Sequence, residues 1–410
     1  MSGQPDQMRR RIGPRPLGLH LGLASATLTS SLGALPLAKR GHYPWLPELK
    51  SEAKNIQEQL QDFEIEAFLP ELAQRGQTLV SEMMSGIEKY HSHPYKRKET
   101  QSSIFWSRGA AQLLDYGKGV AAGAPIALIV PSLINRAYIL DLKAGRSFVD
   151  GLAEAGIHPY LLDWGAPGAE EREYFLDDYF NKILFPALNY LAEANPSSPI
   201  HLLGYCMGGT LAVAQASIQQ GKISSLIALA SPWNFHDGLN SGARFMISQK
   251  ETWDSVLKGF GEMPVDLLQT FFASLDPNLC LNKFRMFNNL SMDSVRAEEF
   301  VALEDWLNDG IPLVKNVAAE CFKGWYGENS PYLGSWHING DVVRPQSLTI
   351  PTLIAVPASD RIVPPGSALG LAEQIPNAKV INPPSGHIGM VAGSRAKTGL
   401  WQDVIDWIKR

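Results

Sequence analysis

The segment His201-Leu-Leu-Gly204-Tyr-Cys206-Met207-Gly208-Gly209-Thr210 carries the side chain best suited to covalent chemistry. An apolar run enters Gly204-x-Cys206-x-Gly208 and a helical run, Leu211 to Ile218, leaves it. Cys206 therefore falls on a sharp elbow between strand and helix. An elbow of this kind strains its nucleophile, and side chains two positions to either side would collide with the neighbouring strand and helix, so glycines are needed there. The helix N-terminus adds partial positive charge, which favours thiolate over thiol. A core cysteine beside a chance pair of glycines would have no reason to carry both flanks.

A nucleophile on an elbow needs a base, and the base needs a partner, further along the chain. Asp360 stands in Val-Pro-Ala-Ser-Asp360-Arg-Ile-Val-Pro-Pro365, just past the apolar run Leu353 to Val356. His387 stands in Pro-Ser-Gly-His387-Ile-Gly-Met390, just past Val380 and Ile381. The order nucleophile, acid, histidine suits an elbow, with His387 taking the thiol proton and Asp360 holding its tautomer and stabilising the imidazolium. The developing oxyanion calls for backbone donors, one from Met207 and one from the loop Pro131-Ser-Leu-Ile-Asn135-Arg136. Leu133, Ile134 and Asn135 could each supply that second amide, and Ile134 is the expected donor. His201, inside a strand, and His236, in a polar turn, have no metal-type partner two to four residues on, so both read as structural and no metal site is expected.

These groups need a sheet to bring them to one edge. Short apolar runs at Ile126 to Val130, Pro159 to Asp163, Ile200 to Gly204, Leu226 to Ala230, Leu353 to Val356 and Val380 with Ile381 read as strands buried on both faces. Helical stretches such as Leu176 to Ala194 and Thr210 to Gln220 separate most of them, which predicts a mainly parallel sheet flanked by helices. The expected organisation is a helical N-terminal extension over 1–120, a core formed by 121–239 and 346–410, and a helical insertion over 240–345. That insertion, with Trp253, Phe260, Phe271, Phe272, Trp306 and Trp325, is expected to fold as a cap over the carboxyl edge of the sheet.

With 410 residues, 45% hydrophobic and 19% charged, the chain can bury a large core, which excludes disordered and fibrous classes. Arg9, Arg10, Arg11, Arg15, Lys39, Arg40 and Lys50 oppose only Asp6 and Glu48 in the first 50 residues, so a formal charge of -5 overall leaves -10 on the rest. No nucleic-acid partner is expected from that balance. The basic arm reads as a solvated tail. Cys206, Cys280 and Cys321 make no disulfide framework, which suits a reducing cytoplasm. Residues 16–38 carry no charge, but their prolines and glycines make them a poor membrane span; Leu21, Ala24, Leu28, Leu32 and Leu35 form one stripe of a helix.

Pro131-Ser-Leu-Ile-Asn135-Arg-Ala-Tyr-Ile-Leu-Asp-Leu142, Leu-Asp163-Trp-Gly-Ala-Pro, Leu-Asp177-Asp-Tyr179, Leu-Leu-Gly-Tyr-Cys206-Met-Gly-Gly, Asp360-Arg-Ile-Val-Pro and Ser-Gly-His387-Ile, in this order, resemble the polyhydroxyalkanoate synthases. Those are cysteine acyltransferases of α/β-hydrolase fold, and the resemblance runs from about residue 90 to the C-terminus. Asp163-Trp-Gly is most similar to the shorter synthases that work with a second subunit. The resemblance implies an acylated Cys206, His387 as its base, Asp360 helping to activate the attacking hydroxyl, and acyl-CoA as substrate with no further cofactor. It also implies a second synthase subunit or a second copy of the chain, and a polyester granule surface, as partners. Against an acyltransferase stand two other readings: a hydrolase using the same three residues (thioesterase, polyester depolymerase or lactone hydrolase), and a non-catalytic granule protein.

Overall fold

Every apolar run named above pairs into a single eight-stranded sheet. A computed structural model describes residues 11–62, 64–98, 102–239 and 241–410. The strands are β1 Ser103–Arg108, β2 Ala111–Asp115, β3 Ile126–Val130, β4 His158–Asp163, β5 Ile200–Tyr205, β6 Ser225–Leu229, β7 Thr352–Ala355 and β8 Lys379–Ile381. Their spatial order is β1-β2-β4-β3-β5-β6-β7-β8. From β4 to β8 all pairings are parallel, with Leu202 of β5 facing Leu128 of β3 on one side and Leu226 of β6 on the other. Strands β3, β5, β6 and β7 are buried along their whole length, which is why each reads as an unbroken apolar run rather than an alternation. The chain goes from β3 to one side for β4 and to the other for β5, so a crevice opens at the carboxyl ends of β3 and β5.

The helical extension expected up to residue 120 is corrected by β1 and β2. They form an antiparallel hairpin through Gly109, whose φ of 56° suits a tight turn, and β2 pairs antiparallel with β4. Glu171 ties the turn down, its two carboxylate oxygens accepting from Ala110 N–H at 2.8 Å and Gly168 N–H at 2.9 Å.

The expected boundaries also change. The chain divides into two compact units, one of Met1–Tyr95 with Asp276–Asn308, the other of Lys96–Leu275 with Asp309–Arg410. The 240–345 segment is thus not one body: its middle joins the N-terminal helices and its two flanks stay with the sheet. The reason is apolar pairing in the first unit between α2 (Ile65–Ser92) and two helices of the segment, Leu279–Asn288 and Val295–Asn308. Met83, Ile87 and Tyr90 pack with Phe284, Phe287 and Val301, and Gly86 lies so close to the Phe284 carbonyl that a Cβ would strike it. Trp306 goes with this unit. Helix α1 (Leu17–Lys39) carries the expected stripe, with Ala24 buried, Leu21 packed on the same core and Leu28 against Gly76. By length and composition α1 could cross a membrane, and 11% of its most apolar window is buried.

The basic arm is not a free tail where it is described. Arg11 forms an ion pair with Asp305 at 2.8 Å and donates to the carbonyls of His93 and Tyr95, while Tyr90 OH donates to Asp305. Arg9 and Arg10 lie outside the described residues.

Candidate active site

Cys206 occupies the bend between β5 and α3 (Met207–Gln219), with φ 56° and ψ -129°. A non-glycine residue in the left-handed half of conformational space costs about 1–3 kcal/mol, which the surrounding structure must over-determine. It does so first by hydrogen bonds: Cys206 N–H donates to Leu229 C=O at 2.9 Å, and Gly209 N–H to Cys206 C=O at 2.8 Å. It does so again by packing. A Cβ on Gly204 would strike Gly208 and Gly209, one on Gly208 would strike the carbonyls of Val130 and Pro131, and one on Gly209 would strike the Ser231 hydroxyl. Strand and helix can approach this closely only because those three positions lack side chains.

Asp360 and His387 are brought together by the loops after β7 and β8. Asp360 Oδ1 accepts from the amides of Ile362 and Val363 at 2.9 Å each, and Oδ2 accepts from His387 Nδ1 at 2.7 Å. Because a carboxylate can only accept, the imidazole proton lies on Nδ1 and Nε2 is left for Cys206, with which the ring also hydrogen-bonds. Burial opposes charge on His387, but the Cys206 sulfur and the Asp360 carboxylate together outweigh it and raise its pKa to about 10.

Beneath the imidazole lies Tyr205, its ring centroid 5.2 Å from that of His387 and its hydroxyl donating to the His387 carbonyl at 3.3 Å. Burial holds Tyr205 well above the usual phenol range, so it supports the ring as a neutral donor. The other two cysteines are buried, and burial pushes Cys280 up to about 12 and Cys321 further. Both stay protonated, whereas Cys206 is half exposed.

Of the expected oxyanion donors, Met207 begins α3 directly after Cys206. Ile134 is different: its amide donates to the Ser132 hydroxyl at 3.1 Å and is engaged within its own loop. Among the described residues the neighbouring Leu133 amide has no such partner, so it stands as a candidate for the second donor beside Ile134. Asp163 is not part of the relay, since its Oδ1 accepts from Gly165 N–H at 2.9 Å and closes a turn. His201 is bonded to Ser225 at 2.7 Å, and burial lowers its pKa to about 4. His236 donates to the Tyr326 carbonyl. Among the described residues no group of three metal-ligating side chains occurs.

Tyr326 is a site residue that the sequence did not single out. It packs edge-on against Phe235 and Phe271, near Phe322, and burial followed by the charge of Cys206 holds its hydroxyl far above its ordinary range. Its backbone lies in a π-helical turn, Cys321–Gly327, which is anchored by Asn329 accepting from Phe235 N–H at 2.9 Å. Nothing local distinguishes this tyrosine from other core aromatics; only the fold carries it to Cys206.

The α/β-hydrolase fold family matches residues 139–393. Poly(3-hydroxyalkanoate) polymerase subunit PhaC of Haloferax mediterranei is 32% identical over 315 residues, covering 75% of this chain and 64% of its own. The protein of the same name from Haloarcula marismortui is 30% identical, covering 75% of this chain and 67% of its own, and that from Synechocystis sp. is 29% identical, covering 68% and 76%. The chain spans about two thirds of the length of the first two.

Proposed function

Since the chain belongs to the poly(3-hydroxyalkanoate) polymerase family of acyltransferase-type enzymes, we propose that it moves 3-hydroxyacyl groups from acyl-CoA, through a thioester on Cys206, to the hydroxyl of a growing polyester. The observation that carries this reading is the buried Asp360–His387 pair set against a half-exposed thiol on a strained elbow. The Cys206 thiol gives its proton to His387 Nε2, and the sulfur attacks the acyl carbonyl. The oxyanion is held by the amides of Met207 and Leu133. The bond to the coenzyme sulfur breaks, and that sulfur leaves with the proton from His387. In the second half an acceptor hydroxyl loses its proton to His387, its oxygen forms the ester bond, and Cys206 departs as thiol. Exchange of one thioester for another is nearly isoenergetic, so the acyl group stays reactive.

Water competes at that stage, and the aromatic cluster around Tyr326, Phe235 and Phe271 is suited to exclude it. The same reading includes a second synthase subunit, because the relatives are named as subunits, and a cytoplasmic site of action at a polyester surface, with α1 as the apolar contact. The test is to incubate the purified chain, with and without a partner subunit, with 3-hydroxybutyryl-CoA and to measure free CoA, free acid and polymer. CoA release matched by polymer is expected. Stoichiometric free acid would make the chain a hydrolase, and absence of CoA release in both arms would make it non-catalytic.

A further inference from the structure

The residue that follows Asp163 has no role in the relay, yet it is fixed with unusual thoroughness. Trp164 is buried, and its indole N–H donates to the Pro131 carbonyl at 3.0 Å. That carbonyl belongs to the peptide immediately before the one that carries the Leu133 amide. The indole is itself held from several sides. Tyr179 packs against it edge-on at 5.6 Å, and Gly165, with φ 65°, is wedged beside the Ala110 carbonyl of the turn that Glu171 ties down. On its other side the Pro131 carbonyl abuts Gly208, in the first turn of α3, whose first residue is Met207. One carbonyl is therefore clamped between a rigid donor and the helix start, one peptide before the Leu133 amide and beside the residue that follows Met207.

We propose that Trp164 is a positioning residue for the oxyanion site, and that its hydrogen bond to Pro131 sets the distance between the Leu133 and Met207 amides. This rests on the acyltransferase reading above. Oxyanion donors act only where they are aimed at the position the charge will occupy, and removal of one costs about 10²–10³ in rate. Loosening one, rather than removing it, gives an expected loss of about tenfold.

The test replaces Trp164 in the full chain by β-(3-benzothienyl)alanine, which keeps the ring system and exchanges the N–H for sulfur. A second variant, Trp164→Phe, guards against failure of that incorporation. The readouts are the first-turnover release of CoA from 3-hydroxybutyryl-CoA, the concentration dependence of that step, and alkylation of Cys206 by iodoacetamide. Alkylation needs the thiolate but no oxyanion donor. Acylation about tenfold slower, with half-saturation and alkylation rate within twofold of the unmodified chain, is the expected result. Equal acylation in the isostere and the unmodified chain overturns the Trp164 assignment alone, as does a parallel fall in acylation and alkylation, which would mark a general structural role. An unmodified chain that never acylates Cys206 overturns both this assignment and the function it rests on.

Discussion

Asp360→Asn separates orientation of the imidazole from simple proximity. The native side chain is fully buried and accepts three hydrogen bonds, two backbone donors converging on Oδ1 and His387 Nδ1–H on Oδ2. Asparagine fills the same volume, so no cavity opens. Its oxygen keeps the two backbone donors, and its NH2 then faces the imidazole. Two donors in contact are relieved when the ring moves its proton to Nε2, and a protonated Nε2 cannot accept from Cys206. The imidazolium also loses its buried counter-charge, so the His387 pKa drops from about 10. In serine proteases the equivalent exchange lowers turnover by about 10⁴; a thiol ionises more readily than a hydroxyl, which sets the expected loss here between about 10² and 10⁴. Quench-flow measurement of first-turnover CoA release, with intact mass to count acyl groups, reads it directly. A folded variant acylating within threefold of wild type would refute the proposed relay.

Intact-mass spectrometry of His387→Ala, slowed in turnover, should show one acyl group, lost when Cys206→Ala is added; an adduct persisting on Cys280 or Cys321 removes Cys206 from the mechanism. Gly209→Ala drives a Cβ into the Ser231 hydroxyl and should destabilise the chain by about 1–3 kcal/mol; pairing it with Ser231→Gly should recover much of the loss in chemical denaturation, and absence of recovery would point to strain elsewhere. The His387 pKa is raised from 6.5 to about 10, so the stability it contributes is whole below pH 6.5 and is lost as pH rises through 10. The stability difference between wild type and His387→Gln should therefore shrink across that window, and a pH-independent difference would contradict the charge assigned to the ring. Arg11→Ala leaves Asp305 with Tyr90 alone and should lower stability by about 1–3 kcal/mol, read by hydrogen exchange of the helix Ile65–Ser92.

The parallel strands were legible because burial on both faces leaves an unbroken apolar run, and Asp360 and His387 because each follows such a run in the order an elbow requires. The hairpin β1–β2 was not. It lies at the sheet edge, and Ser103–Arg108 is exposed at both ends, so neither an apolar run nor a clean alternation marks it. At Ile134 the Ser132 hydroxyl two residues back engages the amide, a local competition that residue type alone does not reveal. Tyr326 feels the charge of Cys206 across 120 positions and Trp164 bonds Pro131 across 33, and no window of sequence contains both ends.

The interleaving of the two units also bears on how the chain is made. The first unit begins with the N-terminal helices, but Phe284, Phe287 and Val301, which complete its core with Met83, Ile87 and Tyr90, come from Asp276–Asn308. Between Tyr95 and Asp276 the ribosome must add 181 residues (276 − 95), which at about 5–20 residues per second takes roughly 10–40 s. During that interval the apolar face of Ile65–Ser92 has left the exit tunnel without its partners from Asp276–Asn308, while strands β1 to β6 of the sheet are emerging behind it. The nascent chain thus presents an unfinished helical surface for longer than most domains take to fold, and slower translation of 96–275 lengthens that exposure in proportion.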